Sequence, residues 1–155
     1  HTGCPGGAAL ALVGIQRRGA HLAERLAARV EAARGAPLQR GVLDITFYRD
    51  DLSMIAQQPV VHSSHIPFAL DDKTIVLVDD VIYTGRTIRA ALDALNDYGR
   101  PRAVLLCALV DRGLRELPIQ PDFTGLAVPT GPRDIVHVRV AELDGEDAVD
   151  LSTAA

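Results

Sequence analysis

Asp79 and Asp80 stand side by side at the end of an apolar run, Ile75-Val76-Leu77-Val78, and Thr84-Gly85-Arg86-Thr87 follows three residues later. Ionised carboxylates are pure acceptors, suited to the hydroxyls of a polyol. A Thr-Gly-x-Thr turn that opens a helix offers backbone N–H groups and two hydroxyls where the helix dipole favours an anion. Carboxylates beside an anion cradle match a sugar phosphate.

These residues need a strand and a helix to hold them. Residues 75–80 read as a strand buried on both faces, and residues 85–97 as a helix with Ile88, Leu92 and Leu95 on one side. Residues 9–14 read as a short buried strand, Ile15-Gln16-Arg17-Arg18-Gly19 as its turn, and residues 20–33 as a helix carrying Leu22, Leu26 and Val30, stopped by Gly35 and Pro37. Further strands are expected at 42–48, 103–110 and 135–140. Residues 49–73 have little apolar periodicity, and so long a loop is a functional lid or a β-arm. The stretch after residue 110, with Pro118, Pro121, Pro129 and Pro132, reads as loops apart from the 135–140 strand. The acidic residues 142–150 read as a solvated end, and the Gly-rich residues 1–8 as a loop or disordered. Alternating strands and helices predict an α/β fold, a parallel sheet with helices on both faces. Ligands then sit beyond the carboxyl ends of the strands. The loops 16–19, 79–87 and 111–115 should therefore meet at one edge.

A length of 155 residues predicts a single domain spanning 1–155. The net charge of −4 supplies no overall basic field for nucleic acid, leaving only a local patch. Cys4 and Cys107 fit no CxxC or metal spacing and suit a reduced, cytoplasmic chain, with Cys107 a small buried hydrophobe. No apolar run approaches the ~20 residues of a membrane span, and no signal peptide is recognisable. The start at His1 suggests a missing N-terminal segment. Lys73 is the only lysine. A Walker B strand requires a Walker A lysine loop, and a phosphorelay receiver a strand-end lysine far from its acidic pair, so both rivals for the Asp-Asp strand end are excluded. A plain buried strand capped by two solvated aspartates leaves the Thr-Gly-x-Thr turn without a purpose.

Residues 75–87 resemble the phosphoribosyl-pyrophosphate signature of the phosphoribosyltransferases. The resemblance implies that Asp79 and Asp80 hold the ribose 2′- and 3′-hydroxyls, and that Tyr83, Thr84, Gly85, Arg86 and Thr87 bind the 5′-phosphate. It places Arg17 and Arg18 on the pyrophosphate loop, where Arg18-Gly19 matches the family and Arg17 stands where relatives often carry threonine. Arg49, at the root of the long loop, would join the pyrophosphate when that loop closes. The transition state resembles an oxocarbenium ion with charge moving onto pyrophosphate, so positioning and electrostatics carry the rate. Mg²⁺, bound mainly with phosphoribosyl pyrophosphate rather than by protein ligands, and the arginines would stabilise the leaving group.

Leu43-Asp44-Ile45-Thr46-Phe47-Tyr48-Arg49-Asp50-Asp51-Leu52, Gly99-Arg100-Pro101 and Asp111-Arg112-Gly113-Leu114-Arg115-Glu116-Leu117-Pro118 are similar to the PyrR family of bifunctional pyrimidine operon attenuators and uracil phosphoribosyltransferases. That resemblance runs from about residue 10 to 150. It implies the type I phosphoribosyltransferase fold, a mainly parallel sheet flanked by helices with a small hood at about 111–132 and a flexible loop or β-arm at about 49–73. It further implies that uracil is read beside Asp111 and Arg112, that UMP is the product, and that the protein forms dimers or larger assemblies. Two classes of function follow. One is an enzyme making UMP from uracil and phosphoribosyl pyrophosphate. The other is a UMP-sensing regulator that binds pyrimidine leader RNA with little catalysis; a phosphoribosyltransferase for another base is a further alternative. Relatives usually carry histidine at Leu114, arginine at Gln120 and Gly-Lys-Asn at Gly125-Leu126-Ala127. Phosphate contacts supply most RNA affinity, and these replacements remove cationic or polar donors. Binding of pyrimidine leader RNA is therefore expected to be weaker than micromolar and to change little with salt; a salt titration giving sub-micromolar, steeply salt-dependent affinity would refute this.

Overall fold

The apolar runs form strands because β-branched and leucine side chains fill both faces of a sheet that helices cover. In the computed structural model, which describes residues 9–45 and 64–153, these are β1 (Leu10–Ile15), β2 (Gln39–Leu43), β3 (Thr74–Ile82) and β4 (Ala103–Asp111). With β5 (Phe123–Ala127) they make one sheet in the order β2-β1-β3-β4-β5, every neighbouring pair parallel. Helix α1 (Arg18–Arg34) follows β1 and helix α2 (Arg86–Leu95) follows β3, the latter running into a 3₁₀ turn at Asn96–Tyr98.

The two-residue period of a strand sends successive side chains to opposite faces. Val13 and Ile15 of β1 and Ile75 and Leu77 of β3 pack with Ile88, Ala91 and Leu95 of α2. The intervening Leu12, Val76 and Val78 pack with Ala23 and Ala27 of α1. Helices thus lie on both faces, as expected. The middle of α1's buried face is nevertheless made by Gly19, Ala23 and Ala27, with Leu22, Leu26 and Val30 only partly buried around it. Small residues one turn apart let the helix approach the sheet closely. A Cβ on Gly19 would lie 2.5 Å from the Val78 carbonyl oxygen and 3.1 Å from Asp79 Cα.

Several expectations need correction. The 42–48 strand is shifted to Gln39–Leu43, and residues 46–63, which hold most of the expected flexible loop and Arg49, lie outside the described residues. Where the chain is described again, His65 pairs with Val42 of β2 in an antiparallel bridge. The stretch read as loops contains β5, whose residues are all exposed. An edge strand with no buried face leaves no apolar alternation to detect, and Gly125 reads as a turn, although a Cβ there would lie 2.8 Å from the Leu109 carbonyl oxygen. The 135–140 strand forms as β6 (Asp134–Arg139), but in a separate antiparallel ribbon with β7 (Ala148–Thr153). The acidic residues lie mostly at the exposed surface, as expected, but they are ordered. They form helix α3 (Ala141–Asp144) and part of β7, and arginines take up their charge: Asp144 pairs with Arg18, Glu142 and Asp147 with Arg25, and Asp150 with Arg139.

Replacing glycine by alanine inside a helix ordinarily gains about 1 kcal/mol. Gly19→Ala is expected to lose about 1–3 kcal/mol instead, because the added methyl overpacks the α1–β3 contact. Urea unfolding measures the sign.

Candidate functional site

Parallel strands put their carboxyl ends on one edge, and there a cavity of about 640 Å³ opens. Its wall combines Gln16, Arg17, Arg18 and His21 from the β1–α1 turn with Asp44 just past β2, Asp79, Asp80 and Val81 of β3, and Thr87 of α2. The structure therefore brings together Arg17, Arg18, Asp79, Asp80 and Thr87 of the expected site. The peptide joining Gln16 to Arg17 is cis, and the Gln16 N–H donates to the Leu43 carbonyl at 2.9 Å, tying this turn to β2.

The acidic pair lies within β3 rather than after it, since the strand continues to Ile82 in register with Asp111 of β4. Asp79 is buried and Asp80 half-buried. Asp79 Oδ1 accepts from the Asp80 N–H at 2.9 Å, and Asp80 Oδ1 from the Val81 N–H at 2.8 Å. Each carboxylate is thus oriented by the backbone beside it. Among the described residues no three His, Cys, Asp or Glu side chains come together to hold a metal ion. The oxygen donors of Asp79 and Asp80 suit a hard cation, and one such as Mg²⁺ keeps ligands from substrate and water.

At the head of α2, Gly85 has φ +95° and forms the N-cap. The Thr84 hydroxyl accepts from the Arg86 N–H at 3.2 Å. No acidic residue occupies the first turn of α2, so its dipole faces the cavity edge uncancelled. Of the expected phosphate-binding stretch only Thr87 is in the cavity wall; Tyr83, Thr84, Gly85 and Arg86 precede it in the chain, with Arg86 paired to Glu116 at 2.7 Å. Opposite them, Arg18 makes a two-pronged pair with Asp144, at 2.8 and 3.3 Å.

Asp111 and Arg112 are not in the cavity wall; they hold the loop after β4. Arg112 is buried, with its guanidinium 4.0 Å from the Tyr83 ring centroid and hydrogen bonds to Thr130 Oγ1 and to the Gly131 and Asp134 carbonyls. Asp111 Oδ2 accepts from Arg115 Nη2 at 2.8 Å and Oδ1 from the Gly113 N–H at 2.9 Å. Arg115 also donates to the carbonyls of Ile119 and Tyr83 and to Gln120 Oε1. The Thr84 carbonyl accepts from the N–H groups of Glu116 and Leu117. The loop at 111–119 and the head of α2 are therefore one bonded unit.

Comparison with known proteins decides the family. Residues 6–143 match the phosphoribosyl transferase domain. The chain is 58% identical over 140 residues to the Bifunctional protein PyrR of Pelotomaculum thermopropionicum, covering 90% of this chain and 77% of that one. It is 58% identical over 142 residues to the Bifunctional protein PyrR of Thermus aquaticus, covering 92% and 78%. This chain belongs to the PyrR family of phosphoribosyltransferases. Solved structures agree on the type I fold: a hypoxanthine phosphoribosyltransferase of Staphylococcus aureus superposes with a TM-score of 0.65 at 19% identity, covering 96% of this chain and 78% of that one. One of Trypanosoma cruzi gives 0.67 at 16% identity, covering 98% and 79%.

Sequence reasoning missed three groups of residues that matter in this PyrR family member. Gln16, His21 and Asp44 line the cavity; the parallel order that puts the end of β2 beside β1 was needed to find Asp44. Arg115 joins the loop after β4 to the Tyr83 carbonyl ahead of α2, and its spacing of four from Asp111 was the available signal. Asp144 holds Arg18 across 126 positions of sequence, with no local signal at all.

Burial pushes the Asp111 carboxyl up, but hydrogen bonds from Arg115 and the Gly113 N–H outweigh it, leaving the group below its usual range. A depressed folded-state value means stability that is present above the unfolded value, about 3.9, and is lost as pH falls through the folded one. Asp111→Asn is therefore expected to melt below wild type at pH 7, and the gap should shrink as pH drops below about 4. Melting curves from pH 7 to 3 measure both.

Proposed function

We propose that this chain transfers the ribose 5-phosphate of phosphoribosyl pyrophosphate to uracil, giving UMP and pyrophosphate. The observation that carries the reading is the meeting, around one cavity, of Asp79 and Asp80, Thr87 at the head of α2, and the Arg17–Arg18 turn. In this reading the 5′-phosphate sits on the N–H groups and hydroxyls at the head of α2, and the ribose hydroxyls donate to Asp79 and Asp80. Arg17 and Arg18 take the pyrophosphate, which gathers charge as its bond to C1 breaks, while uracil nitrogen bonds to C1 and loses its proton. Mg²⁺, when carried in with the substrate, would supply charge neutralisation of the departing pyrophosphate. Because Arg112 is held by Thr130, Gly131, Asp134 and the Tyr83 ring, its role toward the base is to shape the hood, and Asp111 does the same through Arg115 and Gly113. Arg49 joins the pyrophosphate in this reading from the segment outside the described residues.

The same pocket binds UMP, and pyrimidine leader RNA is the second partner that the family's bifunctional members suggest. The stretch that resembles a hood presents Leu114, Phe123 and Leu126 to solvent, and Gln120 is engaged by Arg115, which supports catalysis as the leading activity. The protein works as a dimer or larger assembly in the cytoplasm; no helix among the described residues is long and apolar enough to cross a membrane.

UMP formation from uracil and phosphoribosyl pyrophosphate with Mg²⁺ tests the proposal, and no turnover at saturating substrates would overturn it. Asp79→Asn combined with Asp80→Asn removes two charged acceptors, each worth about 1.5–3 kcal/mol. Turnover is expected to fall about 10²–10⁴-fold with the circular dichroism spectrum unchanged; retained activity would mean the site lies elsewhere.

A further inference from the structure

We propose that Asp144 is a positioning residue for Arg18, gripping one edge of its guanidinium so that the opposite edge is presented to the anion in the site. The anion's identity as pyrophosphate rests on the function proposed above.

A guanidinium carries five N–H donors arranged as two forks, a side fork made by Nε and Nη2 and an end fork made by Nη1 and Nη2. Asp144 takes the side fork: Nε donates to Oδ2 at 3.3 Å and Nη2 to Oδ1 at 2.8 Å. The end fork is left for a second bidentate partner. Asp144 is itself fixed, because its Oδ2 accepts from the Val140 N–H at 2.8 Å at the start of α3. The Arg18 and Val140 hydrogen bonds hold its carboxyl below the usual range, so it stays charged at neutral pH. The side chains of Arg18 and Asp144 are 34% and 19% exposed, which places the pair at the rim of the site rather than in bulk solvent. Arg18 lines both the 640 Å³ cavity and an adjoining one of about 290 Å³ that it shares with Asp80 and Asp144. It therefore stands on the wall between Asp144 and the acidic pair. A long arginine on the first turn of a helix samples many rotamers unless something holds it. The C-terminal ribbon supplies that hold from the far end of the chain.

The test is steady-state kinetics of UMP formation with phosphoribosyl pyrophosphate varied. Asp144→Asn is expected to raise KM for phosphoribosyl pyrophosphate about tenfold, the scale of one misdirected charge-assisted hydrogen bond. The turnover number and KM for uracil should stay within about twofold. Asp144→Glu keeps the charge but moves the fork by one methylene, gives an intermediate rise, and carries the test alone if Asp144→Asn does not fold. In an Arg18→Ala background neither substitution should add a further effect, which a merely structural role would not predict. An unchanged or lowered KM for phosphoribosyl pyrophosphate overturns the proposal, as does an equal effect with Arg18 absent. The lowered value would mean that Asp144 competes with the anion for Arg18 rather than orienting it. Inactivity of the wild-type protein would overturn the proposed activity instead. Calorimetric titration with magnesium pyrophosphate then tests Asp144 separately, and affinity equal to wild type in Asp144→Asn would overturn its role.

Discussion

The approach of α1 to the end of β3 at Gly19 is the contact on which the site depends. The Arg17–Arg18 turn and the acidic pair come from different elements, and only backbone-to-backbone packing brings them to one cavity. Gly19 faces the Val78 carbonyl and Asp79 Cα at a spacing that no side chain fits, and Gly14 is crowded in the same way by the Ala20 backbone. Ala23 and Ala27 continue the close contact one and two turns along the helix. The glycine after the arginines is therefore needed for the packing behind it, and that packing sets how far the arginine turn stands from Asp79.

Charge is then distributed by where each arginine finds a partner. Arg25 is tied to Glu142 and Asp147, Arg139 to Asp150 and Arg40 to Glu24 and Glu31, all on exposed surfaces where such pairs contribute little to stability. Their effect is arrangement: the Arg25 pairs join α1 to the β6–α3–β7 segment, Arg139 joins β6 to β7, and Arg40 joins β2 to α1. Arg112, by contrast, is buried and bonded to backbone carbonyls and the Tyr83 ring, so removing it would strand several polar groups at once. A chain of net charge −4 thus brings Arg17 and Arg18 to the cavity by local placement, not by an overall basic field.

The central strands and both long helices were legible because they are periodic and apolar, and the acidic pair and Thr-Gly-x-Thr turn because chemistry and spacing coincide in one stretch. Arg17, Arg18, Asp79, Asp80 and Thr87 could be grouped once the strands were taken as parallel. What escaped reading lacks a local cause. Exposed β5 buries nothing, so its pattern is silent. The acidic residues 142–150 do face solvent, but nothing local shows that the arginines of α1 and β6 stand opposite them. Nothing local in Asp111 and Arg112 shows that their side chains bond to Arg115, Gly113 and Thr130, a set of partners that only the fold assembles.

Two bonded units result. The head of α2 and the loop after β4 form the first, joined by Arg115 to the Tyr83 carbonyl and by Glu116 and Leu117 to the Thr84 carbonyl. The β1–α1 turn and α3 form the second, joined by Arg18 and Asp144. β3 runs between them and contributes the two carboxylates from its own backbone. In the proposed reaction the breaking bond spans that division, with ribose phosphate on the first unit and pyrophosphate facing the second. A transition state with little covalent demand on the protein gains most from fixed separation of those two ends. The fold supplies that separation through a buried strand, the least deformable element available to it.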